Sequence, residues 1–309
     1  MTGFGGYFRC LLTLLLLWAV FPFGTPASAI VGIDPDNATY IGIYAQAIKL
    51  QAGRWTGKPF VFGGASRPRV ELVRDFKLAG DLDGDGREEK IVILRENSGG
   101  SGTNYYLAVL GRRDGRTINY STVLLGDRVQ LRAWRLVGEK IILDLVQAGP
   151  GDPAGCPSLK VVRSWVLGEN RRLFESGTRQ KGRLSLADFQ GVEWVLLQLK
   201  AGEPVSRSVV VSLRFRGRRL EGHSGCNRYF ATVKENGDLP GQLTIVGISG
   251  TKKSCATPLM RLEKRYLAAL TGVVGYRFVV GRLGLDWNNN REGGLLLFAP
   301  RSLSPRTQN

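Results

Sequence analysis

A chain of 309 residues is long enough for two ordinary domains, each burying its own core. Its 43 Lys and Arg outweigh 26 Asp and Glu, giving a formal net charge of +17. The single histidine, His223, excludes any metal centre built from several imidazoles. So basic a chain favours anionic partners such as membrane surfaces, polyanionic glycans or nucleic acid, although a basic proteome gives the same balance. No long Lys/Arg block marks a nucleic-acid tail, and no specific nucleic-acid motif is present.

Arg9 precedes an apolar run, Leu11 to Val20, which leads to Ala27-Ser28-Ala29. One positive charge, a short apolar core and a small-residue cleavage site make residues 1–29 a secretory signal peptide. The run is shorter than the ~20 residues a spanning helix needs, so no transmembrane span is expected after cleavage. A periplasmic or secreted location follows, in an oxidising compartment. Cys10 leaves with the signal. Cys156, Cys226 and Cys255 remain, enough for one bridge and one leftover thiol.

From Ile30 to Gly64 the pattern suits a helical face or a strand equally, and it stays open. From Val70 the chain turns plainly β, with runs at Lys90–Leu94, Tyr105–Leu110, Thr122–Leu125, Lys140–Val146 and Leu159–Leu167. Gly/Asp/Asn turns separate them, which predicts an antiparallel β domain over 30–175.

Ahead of the first of these strands stands Asp81-Leu-Asp-Gly-Asp-Gly-Arg-Glu-Glu89. Carboxylates at Asp81, Asp83, Asp85 and Glu89, with a glycine for the turn, can converge on one hard cation, calcium above all. The twelfth position is Val92, where an EF-hand needs a bidentate Glu. The loop instead resembles the DxDGDG calcium loops of integrin and dockerin type, which commonly end in Asp where this chain has Glu89. The plainer reading is a glycine-rich hairpin whose aspartates make turn hydrogen bonds. Without a cation, Arg87 and Lys90 are the nearest neutralisers in sequence.

Ser176 to Arg183 is polar and aperiodic, so a linker is placed at 176–188. Beyond it, Val209, Val211, Leu213 and Phe215 alternate with Val210, Ser212 and Arg214 as a strand does. Asn236-Gly237 signals a hairpin. Thr257-Pro258 reads as an N-cap and first-turn proline, with Leu259, Leu262, Tyr266 and Leu270 at helical spacing before Gly272. Three further strands follow, and the tail 301–309 is expected to be disordered.

Within this part, Gly222-His-Ser-Gly-Cys-Asn-Arg-Tyr-Phe230, then Thr251-Lys-Lys-Ser-Cys255, then a helix with an acidic residue, resembles the META domain. That is the fold of HslJ-like heat-shock proteins of the bacterial envelope. The resemblance covers about 189–300 and implies a small β barrel or sandwich with one helix. The fold class expected is therefore mainly β, an N-terminal antiparallel domain joined to this META-like one. Cys226 and Cys255 are either a disulfide or two buried thiols, and an oxidising compartment favours the disulfide. Gly222 and Gly225 are expected at backbone angles other residues avoid. Asn227 reads as a turn residue. His223 lies near Cys226, but strand alternation separates the two, and no catalytic residue is assigned.

The expectation is a non-enzymatic exported envelope protein with a stress-protective or binding role. Its partner would be an anionic envelope component or another envelope protein. The alternative is a calcium-dependent glycan-binding module or enzyme working through Asp81–Glu89.

Overall fold

A computed structural model describes residues 32–301, apart from 62, 154, 207, 237, 238 and 291. The expected signal peptide and all but the first residue of the tail lie outside the described residues. From Ile33 onward the described chain forms one compact unit.

Its first part carries β1 (Thr39–Tyr40), β2 (Ile48–Lys49), β3 (Arg54–Thr56), β4 (Arg69–Leu72), β5 (Leu78–Gly80) and β6 (Glu89–Asn97). Then come β7 (Asn104–Arg113), β8 (Arg116–Asp127), β9 (Gln130–Val137), β10 (Lys140–Gln147), β11 (Leu159–Leu167) and β12 (Leu173–Arg183). One antiparallel sheet has the order β3-β4-β6-β7-β8, with β5 also on β6; a second has the order β12-β11-β10-β9. The open stretch before Gly64 holds only the short strands β1 to β3 and no helix among its described residues.

The run Ile91-Val-Ile-Leu94 is apolar at every position because β6 is covered on both faces. Ile91 and Ile93 join Leu107, Leu143, Leu145, Val161 and Trp165 between the two sheets. Val92 and Leu94 point the other way, onto Tyr40 and Ile48 of the β1–β2 ribbon and Leu50 just after it.

The segment expected as a linker is not one. Residues 176–183 complete β12, paired in register Val162↔Arg179, Arg163↔Thr178 and Ser164↔Gly177. The 3-10 turn Leu186–Phe189 follows at once. Every β12 residue after Leu173 is exposed, so neither face had an apolar alternation to display.

The remaining strands are β13 (Trp194–Lys200), β14 (Glu203–Pro204), β15 (Val211–Arg216), β16 (Arg219–Ser224), β17 (Arg228–Glu235) and β18 (Leu243–Gly250). After helix α1 (Thr257–Thr271) come β19 (Val273–Val279), β20 (Arg282–Asn288) and β21 (Gly293–Pro300). They make an antiparallel sheet in the order β18-β17-β16-β15-β13-β21-β20-β19, with β14 beside β13. The sheet curls into a half-barrel, and its ends meet where Tyr276 N donates to Gly241 O at 2.7 Å. Leu213, Phe215, Leu220, Tyr229 and Phe298 line the inside, and α1 closes it with Tyr266, Ala269 and Leu270. The helix is capped by Ala256 without a side-chain bond, so Thr257 is the first helical residue and not the cap.

The two parts are riveted by charge and backbone. Arg132 bridges Asp144 at 3.0 Å and Asp188 at 3.1 Å, and Lys160 reaches Asp188 at 2.8 Å. Gln130 Oε1 accepts Phe278 N, and Gly281 N donates to Leu131 O. No helix among the described residues is long and apolar enough to cross a membrane.

Candidate functional site

Three places concentrate chemistry: the acidic loop, the cysteine-bearing turn, and the solvent face of β15 to β17.

The acidic loop joins β5 to β6. Asp81 holds the turn, its Oδ1 accepting Gly84 N at 2.8 Å and its Oδ2 accepting Gly86 N at 2.9 Å. Glu89 is buried, and its Oε2 accepts Leu82 N at 2.8 Å. Asp81, Asp83 and Glu89 each bring an oxygen within 4.8 Å of the others. Asp85 stays outside that group and accepts Arg87 N. Burial, and then the charges of Asp83, Asp85 and Asp81, push the Glu89 carboxyl above its ordinary value.

The cation beside this loop is neither of those expected from sequence. Lys90 Nζ turns away to Ile33 O at 2.6 Å. Arg171, between β11 and β12, lies 3.1 Å from Asp83 and 3.5 Å from Asp85. It is held there by donating to Tyr120 Oη at 2.7 Å and by lying over that ring. One oxygen is left over: Asp83 Oδ1 is buried with no hydrogen-bond partner. Three carboxylates and an orphaned oxygen suit a hard cation, with backbone and water oxygens completing its shell.

In the second place, Cys226 and Cys255 are joined by a disulfide with Cα atoms 6.1 Å apart. Among the described residues Cys156 is the free thiol. Asn227 is saturated. Its Oδ1 accepts Thr251 Oγ1 and Lys253 N, both at 2.7 Å, and its Nδ2 donates to Lys253 O and to Glu263 Oε1. Glu263 of α1 also takes the Asn227 N–H and the Ser224 hydroxyl. Burial raises the Glu263 carboxyl, but the hydrogen bonds from Ser224 and Asn227 outweigh it and hold the group below its ordinary range. Gly225 does sit at φ 101°, as expected. Gly222 is required for a different reason: a Cβ there would lie 2.0 Å from Ser212 O. His223 Nδ1 faces Val210 O and Gly225 N, each at 3.2 Å, and the Cys226 sulfur is taken by the bridge.

The third place was not singled out as a site by sequence reasoning. Registers Arg214↔Glu221↔Phe230 and Ser212↔His223↔Arg228 put these side chains on one face of three adjacent strands. They line a shallow cavity of about 600 Å³, with Arg219, Arg301 and Glu193. Glu193 serves Arg301 at 2.6 Å and Arg214 at 3.6 Å. Its carboxyl is lowered first by the Arg301 hydrogen bond. Glu221 serves Arg216 and, at 3.8 Å, Arg219. Two carboxylates thus answer to four arginines, while Arg228 and half-exposed Phe230 stand beside them. Arg219 also lies over the Phe230 ring, 5.4 Å from its centre. The signal in the sequence was the alternation of Arg214, Arg216, Arg219 and Arg228 with apolar residues.

The sequence model of the META domain matches residues 187–302, the part for which that fold was expected. The Asp81–Glu89 loop lies outside the match. No curated protein matches the chain. Among solved structures, the NMR structure of a protein from Burkholderia xenovorans shares 25% identity, with a TM-score of 0.30. It covers 36% of this chain and 83% of its own.

Proposed function

We propose that this is a non-enzymatic exported protein of the bacterial envelope whose META-type part binds an anionic, phosphate-bearing surface through the face of β15 to β17. The observation that carries the reading is the excess of arginines over carboxylates around Phe230. Guanidinium groups match phosphate oxygens in bidentate fashion, and each basic side chain near an anionic surface contributes about 1 kcal/mol. A stress-protective role fits the same attachment, as the META resemblance implies. Co-sedimentation with vesicles tests it: the protein pellets with anionic vesicles and stays in solution with neutral ones. Export requires cleavage after Ala29, so N-terminal sequencing of the exported protein reads Ile30-Val31-Gly32.

A second reading is favoured by the orphaned Asp83 Oδ1. Calcium bound by Asp81, Asp83 and Glu89 would order the turn between β5 and β6, a structural role. Asp85, expected as a fourth ligand, would act only through its charge. Calorimetric titration with calcium, with Asp83→Ala as control, tests this reading.

A further inference from the structure

We infer that the free edge of β12 is a docking strand for an extended, acidic segment of a partner protein, which adds to the β12-β11-β10-β9 sheet as a fifth strand. The inference is independent of the arginine face on β15 to β17.

The strand is unusual in what it leaves open. It runs for 11 residues, and all but Leu173 are exposed, so no layer covers either face. It pairs with β11 on one side only and ends the sheet on the other. Register shifts against β11 leave two regular runs on that edge, Leu173–Glu175 and Gly177–Gln180, the latter roughly 13 Å long at about 3.3 Å per residue. Among the described residues, no backbone bond from another element reaches residues 174–183 across that edge. A long, uncovered edge is a template for strand pairing.

The side chains select the occupant. Glu175 is held by Arg163 at 2.7 Å, and Arg183 is paired with Asp152. Arg179 and Lys181 are exposed and have no ion-pair partner among the described residues. Basic side chains on an edge repel other basic strands, which deters indiscriminate pairing and pairing between copies with these cations opposed. The same charges attract a strand whose side chains are acidic. Strand addition of this kind takes its affinity from main-chain hydrogen bonds and its selectivity from side chains.

The test uses the full mature chain and a synthetic peptide of alternating Glu and Val. The control is that peptide N-methylated at alternate residues, with the same charge but one row of N–H donors removed. Fluorescence anisotropy should show binding of the first peptide and loss of binding for the control. Arg179→Glu with Lys181→Glu should weaken it roughly tenfold, since attractive cross-strand pairs become repulsive. Amide exchange should slow in 174–183 on binding. Equal binding of both peptides, protection elsewhere, or no binding overturns the inference. So does sedimentation showing that β12 pairs with a second copy, lost in the double variant.

Discussion

Glu263 of the helix and Asn227 of the turn grip each other twice, Asn227 N to Glu263 Oε2 and Nδ2 to Oε1, each at 2.9 Å. This pair, with the disulfide beside it, seats α1 in the mouth of the half-barrel. Glu263→Ala would leave buried donors of Asn227 and Ser224 without an acceptor, at a cost of about 3 kcal/mol. The carboxyl is depressed in the folded state, so its contribution is present above the unfolded pKa and lost as pH falls through the folded one. Thermal melts should therefore drop on acidification below about pH 4, with part of that slope absent in Glu263→Gln.

The bridge is checked by non-reducing peptide mapping, which should join Cys226 to Cys255 and leave Cys156 free. Reduction should lower stability by about 3 kcal/mol on the chain-entropy account.

For the acidic loop the sign is informative. Glu89 is raised in the folded chain, so without a cation its contribution is fully present below its unfolded pKa and lost as pH rises through the folded value. In chelator, Glu89→Gln should stabilise the protein at neutral pH. Calcium should raise the wild-type melting temperature and leave that of Glu89→Gln unmoved. A wild-type melt indifferent to both calcium and chelator would leave the loop as a turn.

Two ion pairs across the joint differ in burial and so in worth. Asp188 is 9% exposed and serves both Arg132 and Lys160. Asp188→Ala strands the largely buried Lys160, leaves Arg132 with Asp144 alone, and should cost about 3 kcal/mol by chemical denaturation. Asp75 meets Arg282 with two hydrogen bonds but is 51% exposed. Asp75→Ala should cost less than about 1 kcal/mol.

The META-type part was legible because its motif residues are the ones that lock the fold: Cys226, Asn227 and Cys255 bond to one another or to their neighbours. The strands β6, β7, β8, β10 and β11 were legible where apolar runs met buried faces; β9, which buries only Leu131, was not. β12 was not, since a strand exposed on both sides has no period to read. Nor was Arg171, because an ion pair between distant turns leaves no mark in local spacing. Glu263 sat in plain sight among Leu262 and Tyr266, and only its buried partners reveal why a carboxylate occupies a core face. The arginine face needed the register of three strands to bring alternate residues together.

The most direct measurement of the central claim compares wild type with Arg214→Glu/Arg228→Glu on vesicles containing anionic phospholipid. The double reversal should weaken binding by roughly tenfold or more at temperatures well below its melt, which Arg214→Glu lowers by setting a carboxylate against Glu193 and Glu221, and added salt should narrow the gap. Equal binding by the two proteins, or wild-type binding to neutral vesicles as strong as to anionic ones, would contradict the account.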